Sequence, residues 1–163
     1  MKKLLKKAKK GFTLVELVVV IAIIAILSAA SVATYFGVTE SARKSNVGST
    51  ASQIGQLVYL ASIDGDDSDL VTTKENKVVF LKAKTGENVS GYDSVNNETD
   101  AKAALKTLLE TNDLKVADAD LVITFDGNTE LVKTITYAPA SYNYQAVITF
   151  DGGYSVGSVT TKA

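Results

Sequence analysis

A chain of 163 residues, 46% hydrophobic and 21% charged, has the composition of one ordinary folded domain and leaves no case for a second. It holds neither cysteine nor histidine, which excludes a disulfide framework, a thiolate nucleophile and thiolate metal sites, and removes the commonest general base and transition-metal ligand. Six of the 17 basic residues precede Gly11; without them 11 basic face 18 acidic side chains, a balance of −7, the wrong sign for direct nucleic-acid binding.

Residues 2–10 read KKLLKKAKK, followed by Gly11, and from Phe12 an apolar run extends to Gly37 with one charge, Glu16. The stretch from Leu14 to Ala33 is long enough, at about 1.5 Å per residue, to cross a hydrocarbon core of roughly 30 Å as a helix. The lysines before it predict a cytoplasmic N-terminus and export of everything after Gly37. A secretory signal cleaved at Ser28-Ala29-Ala30, a plain signal anchor and a buried core helix would all give an apolar run. Glu16 weighs against all three, because a carboxylate at mid-bilayer costs about 2.5–3.5 kcal/mol and calls for a partner.

The string Lys10-Gly11-Phe12-Thr13-Leu14-Val15-Glu16 resembles the prepilin cleavage motif of type IV pilins and type II secretion pseudopilins. The resemblance covers roughly residues 6–40 at motif level. It implies a membrane peptidase that cuts between Gly11 and Phe12 and methylates the new N-terminal Phe12, with Glu16 as the assembly glutamate. The expected parts are a leader (1–11), a transmembrane and polymerisation half of helix 1 (12–37) and a soluble head (38–163). The resemblance also implies partners: further copies of the chain, minor pilins, the peptidase and methylase, the inner-membrane assembly machinery, and the membrane before assembly. The precursor would be a single-pass membrane protein and the product an extracellular pilus. One departure is that Ala33 stands where many family members carry a helix-kinking proline, and the chain's one proline is Pro139. Any local melting of the helix would then fall to Gly37.

Physical logic agrees with this pattern. Cutting before Phe12 creates an ammonium about one helical turn from the Glu16 carboxylate, within reach of pairing in one subunit or between neighbours. In a low-dielectric helical core, stranding either partner is heavily penalised, so the pair serves as a register device.

After Gly37 the pattern turns amphipathic. Val47, Ala51, Ile54, Val58 and Ala61, widened by Leu57, form a stripe for packing on a sheet, weakened a little by Gly48 and Gly55. The helix, about fifty residues in all, is expected to stop near Ile63, where Asp64 to Asp69 is turn chemistry. Strands are expected at Lys77–Lys82, Leu121–Phe125, Leu131–Tyr137, Gln145–Phe150 and Tyr154–Thr160. Asp126-Gly127 and Asp151-Gly152-Gly153 mark two hairpins of one meander, each following a copy of VITF. A short helix from Asp100 to Glu110, capped by Thr99, links the early strand to the meander. The fold class is α+β: a long N-terminal helix, membrane-spanning in its first half, packed on a small antiparallel sheet as in pilins.

Two further sites read more plainly as ordinary structure. Residues 64–75 place Asp64, Asp66, Ser68 and Glu75 at calcium-loop positions one, three, five and twelve, but position six holds Asp69 where glycine is needed, so a solvated acidic turn is expected. Tyr137, Tyr142, Tyr144 and Tyr154 fit sheet packing better than an adhesive surface. With no carboxylate pair in a catalytic setting, no enzyme and no cofactor are expected. The function expected is a structural subunit of a type IV pilus. The alternatives are a pseudopilin of a type II secretion or competence system, or a secreted β-rich binding domain starting at Ser31.

Overall fold

The computed structural model describes residues 11–64, 70–74, 76–83, 92–95, 97–127 and 130–163. The chain divides into a unit ending at Ser41 and a second unit, Ala42–Ala163. Helix α1 (Leu14–Asp64, 51 residues) begins in the first and ends in the second. It is followed by β1 (Val71–Lys74), β2 (Lys77–Ala83), β3 (Tyr92–Ser94), α2 (Glu98–Thr111), a 3-10 turn (Asp118–Asp120), β4 (Leu121–Phe125), β5 (Val132–Tyr137), β6 (Tyr144–Phe150), β7 (Tyr154–Val156) and β8 (Thr160–Thr161).

In the first unit α1 is apolar on every side and covered on none: Leu17, Ile21, Ile24 and Leu27 are all more than half exposed. A helix apolar all round is suited to lipid or to other apolar helices rather than to water. It is long and apolar enough to cross a membrane. The helix is unbroken at Gly37, and three hydroxyls nearby bond back to the preceding turn: Ser31 to the Leu27 carbonyl (2.7 Å), Thr34 to that of Ala30 (3.2 Å) and Thr39 to that of Tyr35 (2.7 Å). Such bonds satisfy hydroxyls that would otherwise face an apolar medium unpaired.

In the second unit the expected stripe is the core. Val47, Ala51, Ile54 and Val58 are wholly buried, with Leu57 and Ala61 partly so. In the same core lie the inward residues of the strands, Leu121, Ile135, Ile148 and Phe150 among them, and Ala101, Leu105 and Leu109 of α2, a helix that packs on β2 and β4. Burying each such side chain contributes about 1.5–3 kcal/mol. Gly55 is itself a packing position: a Cβ there would lie 2.5 Å from the Tyr154 ring and 3.0 Å from Ile148. The missing side chain lets the sheet approach the helix.

Strands β1–β3 form one antiparallel sheet in the order β1-β2-β3, and β4–β7 a second in the order β4-β5-β6-β7, with β8 also on β6. Both hairpins follow the expected chemistry, with Gly127 at φ 60° and Gly152 at φ 65°, backbone that favours glycine. A bulge at Lys133 shifts the β4–β5 register.

Four details differ from the sequence reading. β1 occupies the second part of the acidic segment, where Val71 pairs with Phe80 and is buried. β3 is a three-residue strand held by β2, which no pattern announced. The single strand expected over Tyr154–Thr160 is two pieces, β7 and β8, separated where Gly157 donates to the Val147 carbonyl. The cap of α2 is Asn97 rather than Thr99: its side chain accepts from the Asp100 amide (2.9 Å), so the helix starts two residues earlier, at Glu98. Its far end closes with Asp113 at φ 60° and the Leu114 amide on the Leu109 carbonyl, a Schellman stop.

Candidate processing and assembly site

Gly11, Phe12 and Thr13 precede the helix in non-helical backbone, and all are exposed. Among the described residues nothing lies within 4 Å of the position a Gly11 side chain would take, and Phe12 is 85% exposed.

Thr13 is the N-cap of α1, and Glu16 is the third helical residue. The Thr13 amide donates to Glu16 Oε2 (2.8 Å), the Thr13 hydroxyl donates to the same oxygen (2.9 Å), and the Glu16 amide donates to Thr13 Oγ1 (3.3 Å). This reciprocal set is a capping box, which satisfies two of the amides that every helix start leaves unpaired. The Thr-x-x-Glu spacing that encodes it stands in the sequence, and it gives Glu16 a partner in Thr13 besides the Phe12 ammonium expected after cleavage. A carboxylate in the first turn also faces the positive end of the helix dipole. Glu16 thus enters the apolar segment already hydrogen-bonded, to Thr13 and not to Phe12.

The other candidates separate cleanly. Residues 65–69 and 75 of the calcium-loop template lie outside the described residues; of the rest, Asp64 ends α1, Leu70 is in a turn and Val71–Lys74 is strand β1. Among the described residues no group of three or more acidic side chains is arranged to hold a metal ion. Tyr137 and Tyr144 are buried in the core, Tyr142 packs partly against it, and Tyr154 lies over Gly55 with its ring 6.0 Å from that of Tyr59. Lys44 stands 5.1 Å from the centre of the Tyr144 ring. Tyr137, Tyr144 and Tyr154 thus each meet the helix, at Thr50, Lys44 and Gly55.

Outside the apolar segment two ion pairs join the first sheet to a turn of the second. Lys77 bridges to Asp126 (2.8 Å) and Lys74 to Glu130 (3.2 Å), tying β1 and β2 to the β4–β5 turn. The Lys77 bond holds the Asp126 carboxyl below its usual range, and bonds from Ser94 and Lys74 do the same for Glu130. Burial pushes the Tyr137 phenol up.

Neither a curated protein nor a solved structure matches the chain. One family does: the prokaryotic N-terminal methylation motif matches residues 6–32, from the basic leader through Gly11, Phe12 and Glu16 and well into the apolar helix. Those residues make the N-terminal region a class III prepilin leader, as in type IV pilins and pseudopilins.

Proposed function

We propose that this chain is a structural subunit of a type IV pilus. It would be stored in the membrane as a precursor, cut between Gly11 and Phe12, methylated on Phe12 and polymerised through the first half of α1. One observation carries the reading: the methylation motif heads a helix whose apolar surface is uncovered on every side. Such a surface is stable in lipid, and it stays stable on extrusion if neighbouring copies replace the lipid.

In this mechanism cleavage converts the Phe12 amide into an ammonium beside the Thr13–Glu16 box. An incoming subunit slides along its neighbour until an ammonium meets a Glu16 carboxylate, and any other register leaves a charge unpaired in the apolar core. The partners are copies of the chain, minor pilins, the prepilin peptidase and the inner-membrane machinery, and the finished fibre lies outside the cell. A pseudopilin of a secretion or competence system carries the same motif on a short filament. Shed surface fibres containing this protein distinguish the two.

The intact mass of the protein recovered from cells tests the processing step. The expected mass is that of Phe12–Ala163 plus one methyl group. Gly11→Val should leave the leader in place, because a branched side chain intrudes where the peptidase needs bare backbone. Cleavage of that variant at the wild-type rate, or a mature terminus at Ser31, would overturn the assignment.

A further inference from the structure

The outward face of the second sheet is built largely of hydroxyl and small apolar side chains, exposed or half-buried. Register places Thr124 opposite Thr134, Thr134 opposite Thr149 and Thr149 opposite Ser155, a straight row of hydroxyls across four strands. Behind it Val122, Thr136 and Val147 form a second row. Both rows are free of charge, and Lys133 at the bulge marks the rim. The rest of the head carries charge: α2 and the β4–β5 turn hold the exposed Glu110 and the half-buried Lys106, Asp126 and Glu130.

We propose that this face docks on the same face of a second copy of the chain, in a neighbouring fibre. Past the leader the chain carries 11 basic and 18 acidic side chains, so two copies repel each other through most approaches. The threonine face is where they meet without opposing like charges, and its methyls and hydroxyls suit a flat sheet-on-sheet contact. Four strands about 4.8 Å apart, with about five residues of 3.3 Å each, give a face of roughly 300 Å². Against its own copy that buries about 600 Å², below the ~1,000 Å² a stand-alone dimer needs. The contact is therefore weak singly and strong when repeated along two polymers. A face meeting itself is isologous, whereas copies within one screw-related fibre meet through two different surfaces, which places the contact between fibres. The inference rests on the pilus reading above.

The chain has no cysteine, so single-cysteine variants of the full-length protein report the contact directly. Thr134→Cys and Thr149→Cys sit mid-row, nearest any two-fold axis through the face, and Thr107→Cys on exposed α2 is the reference. Surface material from cells is oxidised and run without reductant. The row variants should give roughly ten-fold more cross-linked dimer than the reference, as expected of a repeated contact. Adding Thr124→Lys to either row variant should remove most of it by setting like charges face to face. Equal dimer from all three positions, or dimer unaffected by the lysine, overturns the proposal. Abundant fibres without row cross-links sink the proposal alone, whereas row cross-links on cells that make no fibres overturn it together with the pilus reading, because the contact is placed between fibres.

Discussion

Within one helix, Leu17, Ile21, Ile24 and Leu27 stand more than half exposed, while Val47, Ala51, Ile54 and Val58 are sealed in the core of the head. Both stretches are apolar, but the first is apolar all round and the second only along one stripe, with Ser49, Ser52, Gln53 and Gln56 exposed. The distribution of apolar residues, more than their number, decides where a helix finds its cover. A stripe is completed by the chain's own sheet, and an unstriped helix needs lipid or further copies.

A charge placed in each half should break the comparison most forcibly. Ile54→Asp puts an unpaired carboxylate in a wholly buried site, and the head should unfold, with a loss of several kcal/mol. Ile24→Asp should leave head melting unchanged while reducing membrane insertion by about 2.5–3.5 kcal/mol. Circular-dichroism melts of both full-length variants in detergent, with membrane fractionation, check the pair. Equal melting of the two would show that the stripe does not pack on the sheet.

The two halves also differ in what their glycines do. Gly55→Ala should drive the Tyr154 ring off the helix and cost about 1–3 kcal/mol. A Tyr154→Ala background should relieve most of that loss. Gly37 has open space around it, so Gly37→Ala should stiffen the helix by up to about 1 kcal/mol. Thermal melts settle the first, and helicity of the full chain the second.

How much of this was legible depended on whether the signal was local. The Val47–Ala61 stripe and the two Asp-Gly hairpins announce themselves because period and turn chemistry are properties of short windows. β1 hid because Val71-Thr72-Thr73-Lys74 offers one apolar residue beside an acidic run, and only pairing with β2 makes it a strand. β3 is three residues long for the same reason. Gly55 read as a weakness of the helix, since no window could show the Tyr154 ring that needs the space. At the candidate site the cleavage string was plain in the sequence. The Thr13–Glu16 box is equally local, but the Phe12 ammonium expected one turn away already accounted for the glutamate, which left the Thr-x-x-Glu spacing unused.

A smaller effect is expected of pH on the head alone. The folded carboxyl of Asp126 sits below its ordinary value of 3.8, chiefly through the Lys77 bond. Its contribution is therefore present above that value and fades as pH falls through the folded one. The pair is partly exposed, so the effect is slight. The melting difference between wild type and Lys77→Met should be small near neutrality and vanish in strong acid. A difference that grows on acidification would contradict this assignment.

The central claim is that the Glu16 charge sets the register of assembly, and the two substitutions at that position divide its roles. Glu16→Ala removes both the cap and the charge, whereas Glu16→Gln keeps a side chain able to close the box with Thr13 and loses only the charge. Insertion should be unharmed in both, and the leader should still be removed, because the cut lies before Phe12. The decisive measurement is surface fibre abundance by electron microscopy, alongside the amount of processed protein in the membrane fraction. Fibres should vanish or fall sharply in both variants, Gln nearly as badly as Ala, while processed subunits accumulate in the membrane. Normal fibre abundance from either variant would show that the carboxylate does not set register.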